Sequence, residues 1–168
     1  MASVTEIFAF LDRLGVSYTG TEHPAAFTMD DLLPIEAQLG APFFRNLFLT
    51  NRQKTEFYLL LIGGHKPFRT SVVSKLLGVA RLSFGDADAL MEKLGVVPGA
   101  VNPLSLLGDP DKRIHLVIDS ELNTIPRLCL HPGDNSRSIV MDSADLFGTV
   151  IPALGHEPTW IEIPEQTE

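Results

Sequence analysis

The chain predicts an α+β domain with a mixed or antiparallel β-sheet and surrounding helices, and three observations predict it. Its 168 residues, 45% apolar and 20% charged, suffice for one hydrophobic core and leave little room for a second. In the second half, short apolar runs bounded by turn residues follow one another, which suits strands joined to strands better than regular βαβ units. Amphipathic segments with cap and stop signals are interspersed among them. No internal repeat, low-complexity stretch or interdomain linker interrupts the pattern, so the expected domain spans 1–168, with 164–168 as a short tail.

The elements follow in order. In SVTEIFAFLDRLG, Ser3 and Glu6 form a capping-box pattern, Ile7, Phe8, Leu11 and Leu14 recur at helical spacing, and Gly15 supplies the stop. EHPAAFT predicts a short extended segment or loop, and MDDLLPIEAQLG a helix that Pro34 starts, kinks or breaks. RNLFL and EFYLLLI predict a hairpin joined by the polar TNRQKT and closed by Gly63 and Gly64. Thr70 to Leu77 predicts a helix, ARLSF a strand, and Asp86 caps a helix that runs through Leu94 to a stop at Gly95. The loop GVVPGAVNP carries prolines that stiffen it and glycines that free it. PLSLL, RIHLVID, RLCLHP and RSIVMD predict strands, SADLFGTVIPALG a closing helix capped at Ser143 and stopped at Gly155, and TWIEI a last strand.

Composition bounds the function classes. The N-terminus, MASVTEIFAFLDRLG, lacks the basic start and long apolar run of a signal peptide, and no later run has the length and apolarity of a membrane span, so the expected location is the cytoplasm. The single cysteine, Cys129, cannot form an internal disulfide, and with five scattered histidines it gives no metal-ligand spacing. A formal charge of -8 argues against a polyanionic partner, but its distribution does not. Between Arg45 and Arg81 lie seven basic residues, Lys66 and Arg69 among them, against one acid, a net of +6 that leaves -14 for the remainder. Such a window can steer a polyanion onto one face, or it can be a set of solvated charges; the sequence leaves both open.

Candidate chemistries are few. Cys129 and His131 fall on one side of a predicted strand, as a cysteine hydrolase would need. Such neighbours lie roughly 6–7 Å apart on a strand, too far for an easy thiolate-imidazole hydrogen bond, so Cys129 is expected to be a core thiol. There is neither a phosphate-cradling P-loop nor a G-x-G-x-x-G pattern. His131-Pro132, at a strand end before Gly133, Asp134 and Asn135, and the arginine and asparagine inside APFFRNLFLT remain unexplained.

Taken together, RNLFL with its hairpin, RLSF, LGVVPGAVNP and HPGDNSRS, in this order, resemble the YbaK and prolyl-tRNA-synthetase-associated editing family, closest to its free-standing alanyl-tRNA(Pro) deacylases. The resemblance runs over nearly the whole chain, including the His-Pro of TEHPAAFT. The family's strand carries a Lys-Asn pair, its G-x-x-x-P loop corresponds to Gly99-Ala100-Val101-Asn102-Pro103, and its His-Pro motif to His131-Pro132 followed by Asn135. This sequence departs at Arg45, where the family has lysine.

The resemblance implies hydrolysis of an aminoacyl ester at the acceptor end of a mischarged tRNA, most closely Ala-tRNA(Pro). It implies no metal, cofactor or membrane, and prolyl-tRNA synthetase as a candidate partner. The ester is already activated, and a neighbouring ribose hydroxyl assists the attacking water, so no Ser-His-Asp set is required; the protein supplies position and charge stabilisation. The implied catalytic positions are Gly99, Arg45 and His131, with His131 lining or bracing the site. The implied substrate-binding positions are Asn46, Met29, Leu32, Arg81, Ala100, Pro103 and Asn135, and the pocket is expected between the Met29–Ile35 segment, the Arg45 strand and the Gly99 loop. Arginine is bulkier and more planar than lysine. It therefore leaves three alternatives: an active enzyme, a deacylase retuned to serine, cysteine or threonine, and a catalytically impaired binding relic.

Overall fold

The computed structural model describes residues 3–26, 28–97, 100–132 and 136–165. Two sheets share the core. The first, in the order β1-β7-β6, is antiparallel and uses β1 (Tyr18–Glu22), β6 (Arg127–Leu130) and β7 (Arg137–Asp142). The second, in the order β4-β2-β3-β5-β8, uses β2 (Phe44–Thr50), β3 (Phe57–Gly63), β4 (Ser83–Phe84), β5 (Ile114–Asp119) and β8 (Thr159–Ile161). It is mixed: β2 runs antiparallel to β3 and β4, while β3-β5 and β5-β8 are parallel. Among the described residues a single parallel bridge, Phe43 with Cys129, joins the two sheets.

Caps set the helices, those at Ser3, Gly15, Asp86 and Gly95 as the sequence predicts. Ser3 accepts the Glu6 N–H at 3.2 Å to start α1 (Val4–Leu14), which ends on Gly15 at φ 71°. Thr28 and Asp31 cap each other reciprocally at the start of α2 (Met29–Leu39). Pro34 lies inside α2 without ending it: Leu32 and Ile35 are buried beside Phe43 and Val140, and this packing carries the helix past the missing N–H. α3 (Thr70–Leu77) and α4 (Ala87–Leu94) end on Gly78 and Gly95, and Asp86 caps α4 as its sequence predicts.

Two local expectations, PLSLL and the Ser143 cap, need correction, and two further features have no counterpart in the sequence reading. YTGTE is strand β1 although it has no apolar alternation; antiparallel pairing with β7 determines it, and Gly20 is required because a Cβ there would sit 2.9 Å from Ile139 Cγ2. PLSLL is not a strand but a 3-10 helix, Pro103–Gly108. Asn102 Oδ1 accepts the Leu104 N–H at 2.9 Å and Ser105 Oγ the Asn102 N–H at 3.1 Å, a local closure that an apolar run does not announce. Ser143 is not the N-cap of the closing helix but its first residue, with its hydroxyl donating to the Ile125 carbonyl. That helix is α-helical at Ser143–Asp145, π-helical at Leu146–Val150 and α-helical again at Ile151–Leu154; the wide turn precedes Pro152, which has no N–H to continue a regular ladder.

The main core fills the space between the sheets with Leu59, Leu61, Leu116, Ile118, Leu128, Leu130, Ile139 and Met141, under α1, α4 and the closing helix. A second cluster packs α3 against the other face of the mixed sheet through Leu49, Leu60, Ile62 and Val73. A third lies under α2, where Leu32, Ile35 and Phe43 meet Cys129 and Val140. No described helix is long and apolar enough to cross a membrane.

Candidate functional site

The alternation of β2 sorts its side chains onto two faces. Phe44 and Phe48 enter the main core, whereas Leu47 and Leu49 pack in the α3 cluster. Period two therefore puts Asn46 on the main-core face and Arg45 on the opposite one. The two adjacent polar residues of APFFRNLFLT thus lie on opposite faces of the strand. They still share a place. On the edge opposite β3, β2 meets β6 only through the Phe43–Cys129 bridge and β4 only from Leu49, so no described strand pairs with residues 44–47 there. Arg45 and Asn46 flank this open edge from its two sides.

Asn46 Oδ1 is buried and has no hydrogen-bond partner among the described residues. An unsatisfied buried acceptor costs about 1–3 kcal/mol. Arg45 is half-buried, and its guanidinium donates to the Lys66 carbonyl at 3.0 Å. Lys66 belongs to a buried ion-pair group: its Nζ lies 2.7 Å from Asp119 Oδ2 and 2.9 Å from Glu121 Oε2, and donates to the Ile163 carbonyl at 2.7 Å. Burial alone would lower the Lys66 pKa, but hydrogen bonds and charge from Asp119 and Glu121 hold it above the ordinary lysine range. Lys66 is thus no solvated member of the basic window, and its side chain, 3% exposed, is not available to a polyanion. The sequence could not show this, since Asp119 is 53 residues away.

His131 follows β6 and is buried, its ring 5.1 Å from that of Phe43. Its Nδ1 lies 3.0 Å from the Arg137 carbonyl and 3.3 Å from Ser138 Oγ. Ser138, fully buried on β7, is 2.7 Å from His23 Nε2, and His23 Nδ1 is 2.8 Å from the Pro24 carbonyl. The two His-Pro motifs of the sequence therefore meet across one serine. Cys129 is confirmed as a core thiol: it is fully buried, donates to the Ala41 carbonyl at 3.2 Å, and burial, with Glu36's charge adding, pushes its pKa up to about 12.

A cavity of about 250 Å³ opens between α2 and the start of β2, lined by Asp30, Leu33, Glu36, Pro42, Phe43, Gly64 and His65. It adjoins Phe43, on which His131 packs, and the Gly64–Lys66 turn that holds Arg45. Burial raises the Glu36 pKa, opposed by a hydrogen bond from the Phe43 N–H. Leu32 is buried in the cluster under α2, so the α2 residues lining this cavity are Asp30, Leu33 and Glu36. Met29 enters only as the first residue of α2, its side chain lying outside what is described. Ala100 and Pro103 are buried beside Val101 and Leu104 of the main core, the side to which Asn46 points. Arg81 is exposed just before β4. Gly99 and Asn135 lie outside the described residues.

These positions offer an open strand edge, an acceptor in Asn46, a cation in Arg45 and an imidazole in a fixed setting, which together can hold a polar substrate without a protein nucleophile. His65, Glu121 and Glu165 bring potential ligand atoms within 4.8 Å of one another, but the Lys66 ammonium 2.9 Å from Glu121 already supplies a cation there. Sequence reasoning missed Ser138, Asp119, Glu36 and His65. The alternation of RSIVMD, with Ser138 and Val140 on the same face as Cys129, is the one signal that could have drawn attention to Ser138.

The comparisons agree with this architecture. The model of the aminoacyl-tRNA editing domain family matches residues 23–148. The chain is similar to prolyl-tRNA synthetase associated domain-containing protein 1 of Danio rerio, 32% identical over 144 residues that cover 84% of this chain and 78% of that protein. It is also similar to the prolyl-tRNA editing protein ProX of Acetoanaerobium sticklandii, 29% identical over 140 residues, 83% of this chain and 85% of that one. A crystal structure of a candidate trans-editing enzyme for prolyl tRNA synthetase superimposes with a TM-score of 0.70 at 18% identity, covering 98% of this chain and 99% of that one.

Proposed function

The chain belongs to the aminoacyl-tRNA editing domain family, and from that premise we propose that it is a trans-acting hydrolase that deacylates mischarged tRNA, with Ala-tRNA(Pro) as its substrate. The observation that carries the site is the buried Oδ1 of Asn46, unpartnered among the described residues, beside the open edge of β2. A substrate donor, such as the α-ammonium of an aminoacyl ester, would satisfy it. Water attacks the ester carbonyl, the bond to the ribose oxygen breaks, and free amino acid and tRNA leave. Asn46 orients the substrate, the Arg45 guanidinium holds the phosphate or adenosine of the acceptor end, and His131 braces the site. Gly99, Ala100, Pro103 and Asn135 carry the roles that the family motif suggests, in which backbone N–H donors stabilise the developing oxyanion.

Size sets the selectivity. A synthetase pocket built for proline loses only about 1–3 kcal/mol per missing methylene when alanine enters, so a second, smaller site that excludes proline by overlap is needed. The relative named as a prolyl-tRNA editing protein supports this assignment. One observation favours a second reading, an impaired relic that binds tRNA or a synthetase: Arg45 stands at the family's lysine position and its guanidinium is engaged by the Lys66 carbonyl. A deacylation screen across Ala-, Ser-, Cys-, Thr- and Pro-charged tRNAs separates the readings. Turnover of Ala-tRNA(Pro) with Pro-tRNA(Pro) spared supports the proposal, turnover of another small residue retunes it, and binding without turnover replaces it by the relic.

A further inference from the structure

The short strand β4 leaves a phenyl ring in solvent: Phe84 is 59% exposed. Its setting is fixed by neighbours. Phe84 stands directly opposite Leu49 of β2, and opposed residues of an antiparallel pair project from the same face of the sheet. That face is the one under α3, where Leu49, Leu82 and Phe68 pack, and the Phe68 ring meets the Phe84 ring at 5.5 Å and 60°. Arg45, four residues before Leu49 on β2, lies on the same face by the period of the strand. At about 3.3 Å per residue, about 13 Å of strand separates Arg45 from the position of Leu49 and Phe84. The segment from Lys66 to Phe68 ties the two ends together: the Lys66 carbonyl holds the Arg45 guanidinium at 3.0 Å, and Phe68 supports Phe84. The charge along this part of the chain has one sign. From Pro67 to Phe84 it carries Arg69, Lys75 and Arg81, all exposed, and no acid. The next acid, Asp86, has Lys54 3.9 Å from its carboxylate.

We propose that Phe84 is a stacking platform for an unpaired base of the tRNA 3′ end, upstream of the terminal nucleotide at Arg45, with Arg69 and Arg81 meeting the flanking phosphates. A lone exposed aromatic is ordinary on a protein surface. This one shares its face with the arginine of the site and its stretch of chain with three cations, the combination that binds single-stranded nucleic acid by stacking and charge together. Phe68 holds the ring in place, so little freedom is lost when a base covers it. The separation also fits: a stacked strand advances about 3.4 Å per nucleotide, so about 13 Å spans about four nucleotides, and fewer when the strand is extended. A paired base offers no open face to the ring, which limits the platform to the unpaired end. The inference rests on the tRNA-binding part of the proposed function and not on turnover.

Equilibrium binding of uncharged tRNA(Pro), and of the same tRNA with its unpaired 3′ nucleotides removed, tests it. Phe84→Ala weakens binding of the intact tRNA about fivefold to a hundredfold, the range of one base–aromatic contact, whereas Phe84→Tyr, which keeps the ring, retains the affinity. Wild type and Phe84→Ala bind the trimmed tRNA alike. On intact tRNA the two share one salt dependence, because a phenyl ring releases no counterions. An affinity for intact tRNA unchanged by Phe84→Ala overturns the proposal, as does an equal loss on intact and trimmed tRNA. Loss of binding to prolyl-tRNA synthetase with tRNA binding intact makes the surface a protein interface and overturns it too. Absence of tRNA binding by the wild-type protein even at low salt removes the editing reading and this inference with it. Binding without turnover, with the Phe84 variants as stated, removes only the hydrolase reading.

Discussion

Replacing Lys66 by methionine removes the ammonium from a group in which Asp119 is fully buried. Asp119 keeps one described hydrogen bond, from the Ile163 N–H at 3.2 Å, and its charge loses the partner 2.7 Å away. Removing one member of a buried pair costs about 3–5 kcal/mol, because the surviving charge stays desolvated. For a chain of 168 residues this corresponds to a fall in Tm of about 6–20 °C, at about 2–4 °C per kcal/mol. Urea and thermal unfolding measure it. Lys66→Met/Asp119→Leu, which removes both charges, recovers most of the loss. The contribution also has a pH signature. The folded Lys66 pKa is raised above its ordinary 10.5, so the stabilisation is complete below that value and is lost as pH rises through the folded pKa. A Lys66→Met protein within about 0.5 kcal/mol of wild type, the range of ordinary surface changes, would refute the reasoning and return Lys66 to the solvated basic window.

Other outcomes follow from other parts of the fold. Asp109 accepts hydrogen bonds from His156 at 2.9 Å and from the Arg113 and Ile114 N–H groups at 3.0 and 2.8 Å; although burial opposes ionisation, these hold its pKa below the ordinary 3.8. Its stabilisation is present above 3.8 and lost as pH falls through the folded pKa, so Asp109→Asn costs about 1.5–3 kcal/mol in neutral buffer and less in strong acid, measured by urea titration across pH. Gly20→Ala forces a Cβ to within 2.9 Å of Ile139 Cγ2 and 3.0 Å of the Ser138 carbonyl, and destabilises by about 1–3 kcal/mol in the same assay. Cys129, with a pKa of about 12 and no exposure, resists thiol reagents in the folded protein and reacts fully once unfolded; rapid labelling of the native state would contradict its placement. Neutralising exposed Arg81 lowers the salt dependence of tRNA binding, while Lys66→Met leaves that slope unchanged.

Local signals made much of the fold legible. Ser3, Thr70, Asp86, Gly15 and Gly95 mark helix ends that recur in the structure, because caps are set by residues within a turn of each other. What escaped is set by distant partners. YTGTE becomes a strand only because β7 pairs with it, and PLSLL turns into a 3-10 helix through hydrogen bonds that its own apolar residues do not make. In the site, Arg45, Asn46 and His131 stood out as polar residues in apolar runs, but their relation did not. Strand period separates the first two faces, and residues far away in sequence, Lys66 and Ser138, anchor Arg45 and His131. Arg45 was visible as a departure from a family pattern; that its guanidinium holds a turn stapled to Asp119 was not.

The central claim, that this chain hydrolyses an aminoacyl ester with arginine at position 45, is tested most directly by measuring deacylation of Ala-tRNA(Pro) by the native protein and by Arg45→Lys side by side. The account predicts turnover by the native protein, with Pro-tRNA(Pro) left charged. No turnover by the native protein, with activity appearing in Arg45→Lys, would contradict it.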